Sequence, residues 1–499
     1  MVMNLKIFQL SIINCYFSIM MDMYSILFSL SVILITSCVM LYSSSYMSGE
    51  INNSKFYKLV FGFMMSMLIL ICSSNMFLMM MGWDGLGILS FILVIFYQNE
   101  VSLGSGFITL FTNRAGDAFL LVLISFMGLN MNWGFMTSFS LLMMMILITG
   151  AITKSAQLPF CSWLPRAMAA PTPVSSLVHS STLVTAGVFL LIRFSENLNY
   201  SIILILGSFT TLLAGLSGMV EHDLKKIIAL STLSQLGVMF MSLGLNVPNV
   251  AFFHLCTHAF FKAMIFICAG DMISTMQGSQ DIRLYGNSFI VSPLVCMFLT
   301  SGLLALSGLP FLAGFYSKDA MLDNFMMSNV NFMLTIMSWV GIIMTALYSV
   351  RFIIYNIWNI NSNISFYFNK NMLTIYPLFI LNLGAICFGS ILSYYLYFNP
   401  IFMSQLLKLF PLFMMILGVS ISFNLWFLEF KEIILSSIGF LDMLTKSSTN
   451  TQIFMKKSSM MSELGWMEMI PKSIKFIIED FKFFNLFLSM IAMLALSFS

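Results

Sequence analysis

Long apolar runs follow one another along this chain and are separated by short polar stretches. A helix that crosses a bilayer needs roughly 20 mainly apolar residues. Because apolar residues fill each run without alternating with polar ones, the pattern predicts helices rather than barrel strands. The predicted spans, about fourteen to sixteen in number, include residues 5–20, 24–43, 57–80, 82–97, 106–128, 138–157, 174–194, 201–219, 227–245, 248–273, 290–308, 330–357, 374–397, 408–428 and 483–498, with a half-span at 309–327.

Composition agrees with this pattern. Hydrophobic residues make up 59% of the chain and charged residues 8%, whereas a soluble domain carries about 25% charged residues. Since backbone groups in hydrocarbon must be bonded internally, the predicted fold class is an all-α membrane bundle. The net charge of +3 does not suggest a nucleic-acid partner, and the short loops leave no room for a flavin, nucleotide or iron–sulfur domain. The eight cysteines form no CxxC pair and are expected to be small core residues.

The charge distribution changes near the C-terminus. Residues 429–482 hold 14 of the 41 charged residues of the chain, interleaved with apolar ones. This pattern is typical of an amphipathic helix that lies along the membrane surface, and a partly disordered loop is the alternative. The run at 483–499 then predicts a closing membrane anchor.

A lysine interrupts one of the predicted spans. Lys154 lies in GAITKSAQLPFCSW, followed by Pro159 and three further prolines. A charged side chain in the middle of a spanning helix costs about 2.5–3.5 kcal/mol, so it is a functional candidate. Prolines break helices and free backbone carbonyl groups for water or a cation. The alternative is that the Lys154 amine extends to the membrane surface.

Three titratable residues share one face of a later span. His254, His258 and Lys262 are spaced four residues apart in AFFHLCTHAFFKAMIFICAG. Because histidine titrates near neutral pH, two imidazoles and an amine stacked in a row indicate a proton relay. Two histidines at this spacing also occur in zinc sites, but no third ligand follows nearby.

A second lysine also follows a helix-breaking sequence. Lys318 lies in SGLPFLAGFYSKDAML, after Gly308, Pro310 and Gly314. Broken segments at corresponding positions of two halves are typical of internally repeated transporters.

Two carboxylates are candidate partners for these lysines. Asp84 lies in MGWDGLGIL, and Asp117 lies in TNRAGDAFL. A nearby carboxylate would hold a buried lysine in its protonated form, and moving it away would favour release of the proton. The alternative for Asp117 is that it only neutralises Arg114, three residues earlier.

Several stretches resemble a known family. They are GWDGLGILSF, NRAGDAF, KSAQLPFCSWLPRAMAAPTPVSSLVHSSTLVTAGVFLLIRF, DLKKIIALSTLSQLG, FFHLCTHAFFKAMIFICAG and LPFLAGFYSKD, spread over residues 82–319. In these stretches the chain resembles the antiporter-like membrane subunits of mitochondrial NADH–ubiquinone oxidoreductase, respiratory complex I, and within them the chain 5 group.

The resemblance implies two inverted five-helix repeats, each containing a broken helix. It divides the chain into N-terminal transmembrane helices at 1–56, a first repeat at 57–194, a second repeat at 195–358, further transmembrane helices at 359–428, the lateral amphipathic segment at 429–482 and the anchor at 483–499. Its proton-relay positions match Asp84, Asp117, Lys154, His179, His254, His258, Lys262, Lys318 and Asp319.

The resemblance also implies a proton-translocating core subunit of the membrane arm, in the mitochondrial inner membrane. Such a subunit contacts its neighbours through the lateral segment, is surrounded by lipid, and exchanges protons with water. No cofactor or metal is expected in this chain, since flavin, iron–sulfur clusters and ubiquinone belong to other subunits.

Two features depart from the family pattern. The family usually has glutamate at the position of Asp84, and the shorter side chain would need closer helices or a bridging water to reach Lys154. The N-terminus is also shorter than the two spans that the family usually places before MDMYSILF.

Two other functions fit parts of the sequence. One is a subunit of a stand-alone sodium–proton antiporter, which has related repeats and no redox partners. The other is a passive scaffold, in which an unbroken apolar column would surround Lys154 and Lys262.

Overall fold

The computed structural model describes residues 19–129, 139–198, 200–286, 288–328, 330–358, 372–396 and 404–425. Within these ranges the regular structure is helical, which confirms the predicted fold class. The predicted span at 483–498, the lateral segment at 429–482 and all of the predicted span at 5–20 except its last two residues lie outside them.

Seventeen α-helices occur in the described ranges. In chain order they are α1 (Met23–Tyr46), α2 (Asn53–Cys72), α3 (Met76–Val94), α4 (Glu100–Leu129), α5 (Leu141–Lys154), α6 (Trp163–Arg166), α7 (Thr172–Val174), α8 (Leu183–Arg193), α9 (Tyr200–Val220), α10 (Leu224–Gly244), α11 (Pro248–Thr275), α12 (Ser288–Val291), α13 (Pro293–Ser307), α14 (Ala313–Met327), α15 (Phe332–Ile353), α16 (Met372–Tyr395) and α17 (Gln405–Leu425).

Ten helical segments of the described chain are long and apolar enough to cross a membrane. Three shorter apolar helices accompany them, at Leu141–Lys154, Pro293–Ser307 and Lys408–Ser422. The first two of these each end at a predicted helix break, and that is why they are short. The chain is therefore a multi-pass membrane protein.

One boundary between spans was predicted wrongly. The apolar pattern placed it near residue 81, but α2 ends at Cys72 and α3 begins at Met76. Ser73 pairs with Ile19 in an isolated bridge, and the amide of Met20 donates to the Cys72 carbonyl oxygen at 2.9 Å. Asn75 is extended and precedes the first turn of α3. Pairing with a distant segment, which hydropathy does not reveal, therefore sets this boundary.

Helix α11 lies at the centre of the described bundle. It packs against α1, α10, α13, α14 and α16, and its most apolar 18-residue window is entirely buried inside the protein. Polar side chains in this window are consequently enclosed by neighbouring helices rather than exposed to lipid.

Both predicted helix breaks are present. After α5 ends at Lys154, the chain passes through α6, a short 3-10 turn, α7 and a π-helical segment at Ser175–Thr182 before α8. The prolines in this stretch lack the amide that a continuous helix requires. In the second break, α13 ends at Ser307 and is followed by Gly308, whose φ of +92° is left-handed, a conformation that glycine adopts without steric cost.

Candidate functional site

Lys154 is completely buried at the C-terminal end of α5. Its ammonium group donates a hydrogen bond to the carbonyl oxygen of Trp83 and lies 4.0 Å from the centroid of the Trp83 ring. The alternative, an amine that extends to the membrane surface, is therefore wrong. The aromatic face and the carbonyl oxygen both favour a cation at this position.

The two carboxylates meet at Arg114 rather than at Lys154. One guanidinium nitrogen of Arg114 lies 2.6 Å from Asp84 Oδ1 and 3.3 Å from Asp117 Oδ2. The expected direct pairing of Asp84 with Lys154 is thus replaced by an Asp84–Arg114 pair. Neighbouring side chains on a helix point about 100° apart, so when Trp83 faces Lys154, Asp84 faces elsewhere.

Asp117 connects this ion pair to Lys154. Trp83 Nε1 donates to Asp117 Oδ1 at 2.9 Å, while the carbonyl of the same tryptophan accepts from Lys154. Asp117 does neutralise Arg114, as the alternative held, but it also holds the tryptophan that contacts the lysine. Both carboxylates interact electrostatically with Lys154.

His179 lies in the π-helical segment and is buried. Its ring centroid is 6.1 Å from that of Trp163, and Trp163 Nε1 donates to the Thr153 carbonyl at 3.0 Å. Trp163 therefore connects the His179 region with the residue that precedes Lys154. Neither ring nitrogen of His179 has a hydrogen-bond partner among the described residues.

The predicted relay on α11 is enclosed in the bundle. Lys262 donates a hydrogen bond to the Ser231 hydroxyl of α10. The ring centroids of His254 and His258 are 6.2 Å apart, and within the described chain His258 has no hydrogen-bond partner for either ring nitrogen. Buried polar groups are nearly always bonded to protein or to water, so water is the expected partner of the His258 ring nitrogens.

His254 joins α11 to the second broken helix. Its Nδ1 lies 2.9 Å from the Ser317 hydroxyl, and its Nε2 lies 3.2 Å from Gln235 Oε1. Both ring nitrogens are therefore engaged by side chains, which leaves none to share a zinc ion with His258. No group of three or more potential metal ligands occurs in the described part of the chain.

Lys318 follows Ser317 on α14 and is buried. Its ammonium group donates to the carbonyl oxygen of Leu306 at 2.5 Å, one of the carbonyl groups freed where α13 ends. Asp319 points elsewhere: it is partly exposed and interacts electrostatically with Asp323 and Lys408. The structure thus places Lys318 next to the serine that contacts His254, and Asp319 to one side.

Several residues of the site were missed by sequence reasoning. They are Trp83, Ser231, Gln235 and Ser317, each of which contacts a relay residue. A weak signal was present for two of them: Ser231 and Gln235 are four residues apart, so they share the face of α10 that meets α11.

Comparison with known proteins gives consistent matches. Residues 73–345 match the family described as NADH:quinone oxidoreductase/Mrp antiporter, TM, and residues 8–57 match the complex I chain 5 N-terminus. NADH-ubiquinone oxidoreductase chain 5 of Anopheles gambiae is 43% identical over 83% of this chain and 74% of its own. The Locusta migratoria protein of the same name is 43% identical, with coverages of 83% and 75%.

A solved structure shares the fold. The Mrp complex from Dietzia sp. contains a chain that superposes with a TM-score of 0.76, at 22% identity, over 94% of this chain and 56% of that one. Helices broken beside buried lysines, and a central helix with enclosed imidazoles, define an antiporter-like, ion-translocating membrane protein. Within this class, the chain belongs to the NADH–ubiquinone oxidoreductase chain 5 family.

Proposed function

We propose that this chain moves protons along the relay that joins Lys154, His179, His258, Lys262, His254 and Lys318. The chain is a core membrane-arm subunit of proton-pumping NADH:ubiquinone oxidoreductase, in the mitochondrial inner membrane. Oxidation of NADH and reduction of ubiquinone take place in other subunits, where flavin and iron–sulfur clusters are bound.

One observation carries the proposal: the three lysines of the proposed relay are buried, and each of their ammonium groups donates to a single neutral oxygen. These acceptors are the Trp83 carbonyl, the Ser231 hydroxyl and the Leu306 carbonyl. A carbonyl or hydroxyl oxygen stabilises the ammonium form without the strong attraction of a carboxylate. No fixed negative charge then holds the proton on the amine, as a group that must both gain and lose a proton requires.

The Asp84–Arg114–Asp117 cluster is the proposed control element for Lys154. While Arg114 engages both carboxylates, their attraction for Lys154 is partly neutralised. Movement of Arg114 away from them would expose Lys154 to a stronger negative field and favour its protonation. Return of Arg114 to the two carboxylates would favour release of the proton from Lys154. Energy from electron transfer would reach the cluster as a conformational change in neighbouring subunits.

A released proton would pass through water and His179 towards α11. His258 lies between Lys262 and His254, and its ring interacts electrostatically with Lys262, His254 and Lys318. Repulsion among these groups disfavours their simultaneous protonation, so arrival of one proton promotes departure of another. Ser317 then relays between His254 and the segment that carries Lys318.

We also propose that the lateral segment at 429–482 contacts other membrane-arm subunits, with lipid covering the remaining apolar surface. Exposed apolar side chains on α1, α4 and α16, such as Leu30, Phe107 and Phe379, fit a lipid-facing surface.

The test is a pair of lysine variants in the assembled complex, reconstituted into liposomes. Lys154→Met should lower the proton-to-electron ratio, because methionine fills the space but carries no proton. Lys58→Met, at an exposed position on α2, is the control and should pump normally. Proton uptake by a pH-sensitive dye and NADH oxidation are measured together. An unchanged ratio in Lys154→Met would exclude the proposed role.

A further inference from the structure

The turn that ends α5, next to Lys154, contains an alanine in an unfavourable backbone conformation. Ala156 has a φ of +53°, a left-handed conformation in which the Cβ atom crowds the backbone. The amide of Gln157 donates to the Ile152 carbonyl oxygen at 3.1 Å. This bond closes a Schellman motif, in which glycine usually takes the left-handed position. Because alanine occupies that position here, the surrounding structure must hold the turn.

The side chain of Gln157 is completely buried and bonds to both sides of this turn. Its Nε2 donates to the carbonyl oxygen of Ser155, the residue after Lys154, at 3.2 Å. Its Oε1 accepts from the Thr210 hydroxyl of α9 at 2.6 Å. Since a carbonyl oxygen can only accept, the amide nitrogen must face Ser155, and Thr210 is the donor to the amide oxygen. The side chain therefore ties the end of α5 to α9.

Thr210 is a firm anchor because it lies where α9 crosses α10. A Cβ atom built on Gly237 of α10 would lie 2.5 Å from Thr210 Oγ1, and one built on Gly207 of α9 would lie 2.8 Å from the Gly237 carbonyl oxygen. The Thr210 hydroxyl also lies 2.9 Å from the Gly207 carbonyl oxygen of its own helix. Gln235, which contacts His254, precedes Gly237 by two residues. The turn at the end of α5 is thus bonded to a tightly packed helix pair.

We propose that Gln157, anchored by Thr210, is a positioning residue for Lys154. The inference rests on the proposed function, in which Lys154 gains and loses a proton. With the turn fixed, the end of α5 holds the Lys154 ammonium group against the carbonyl oxygen and the ring of Trp83. Without the bond to α9, the turn can relax and the ammonium group loses this alignment. Neither Gln157 nor Thr210 carries the transferred proton.

Two substitutions at Thr210 separate the hydrogen bond from packing. Thr210→Val keeps the volume but removes the hydroxyl, and it should slow pumping in the reconstituted complex by about tenfold or more, since a misplacement of about 1 Å can cost roughly a hundredfold. Thr210→Ser keeps the hydroxyl but removes a methyl group, and it should pump nearly as fast as the unsubstituted protein. Thr211→Val is the matched control: Thr211 is also buried, its hydroxyl donates to the Ser208 carbonyl oxygen of its own helix at 2.8 Å, and the variant should pump normally.

A substitution on the other side of the bond gives a second test. Gln157→Met has a side chain of similar length without the amide, and it should slow pumping as Thr210→Val does. The double variant should be no slower than Gln157→Met alone, because both changes remove the same hydrogen bond.

Two results would overturn the inference. One is a normal pumping rate in Thr210→Val. The other is a larger loss in Thr210→Ser than in Thr210→Val, which would make packing the important property of Thr210. If Thr210→Val does not assemble, Gln157→Met decides: slow pumping supports the positioning role and normal pumping excludes it. Lys154→Met in the same assay separates the proposals, because loss of pumping there, with normal pumping in Thr210→Val, refutes only the role of Gln157.

Discussion

The last turn of α5 is held between helices by glycines, and this packing predicts a variant that disturbs Lys154 without touching it. A Cβ atom built on Gly187 of α8 lies 2.6 Å from the Ala151 carbonyl oxygen and 3.1 Å from Ser155 Cβ. Ordinary contacts between carbon and a carbonyl oxygen are about 3.3–3.6 Å. Gly187→Ala therefore requires α5 and α8 to separate by about 0.7–1 Å, because backbone atoms cannot rotate away.

Overpacking of this size typically costs about 1–3 kcal/mol. The matched control is Gly104→Ala on α4, where a Cβ atom would have nothing within 4 Å. Both variants gain the same helix propensity, roughly 1 kcal/mol, so the difference between their unfolding free energies isolates the clash. That difference should be about 1–3 kcal/mol, with Gly187→Ala the less stable.

The same displacement should affect proton transfer, because Lys154 lies in the turn that moves. A misplacement of about 1 Å can reduce a reaction rate by roughly a hundredfold. Thermal unfolding of the complex and pumping in liposomes are the two assays. Equal unfolding temperatures in the two variants, together with normal pumping in Gly187→Ala, would refute the account of how α8 positions Lys154.

Two further variants test other contacts. Ser231→Ala removes the acceptor of the Lys262 ammonium group, and since a hydrogen bond to a charged group is worth about 1.5–3 kcal/mol, pumping should slow by roughly ten- to a hundredfold. Ser37→Ala, at an exposed position on α1, should leave the pumping rate unchanged, and equal rates in the two variants would contradict the role of Ser231. Asp22→Asn weakens the 2.8 Å pair that ties the start of α1 to Arg193, which is only 6% exposed, and it should destabilise the protein by about 1–3 kcal/mol in thermal unfolding, because a buried donor loses its partner. Asp281→Asn, in an exposed 3.6 Å pair with Arg283, should cost less than about 0.5 kcal/mol, and the reverse order would show that burial does not set the strength of these pairs.

Features that depend on residues close in sequence could be predicted. The two helix breaks follow from proline and glycine near Lys154 and Lys318, and the alignment of His254, His258 and Lys262 follows from helical spacing. Contacts between helices could not. Asp84 was expected to pair with Lys154, but Arg114 of α4 lies closer to it, and no property of the local sequence shows which of two cations a carboxylate will meet.

The same distinction applies to Gly270. In sequence it is one glycine near the end of a span, and nothing adjacent marks it. Only the packing of α1 and α7 against α11 brings the Tyr42 and Thr172 hydroxyls to Gly270, because that approach depends on the absence of one side chain at a helix crossing.

The sequence by itself determined the membrane environment of this protein and the places where its helices break. The free energy of transfer into lipid is a sum over consecutive residues, and a helix break depends on residues close in the chain. The tertiary structure decided which carbonyl, hydroxyl or guanidinium group each charged side chain meets. Those partners lie on helices that are distant in the chain, and their separations of about 3 Å are set by how side chains interlock across the bundle.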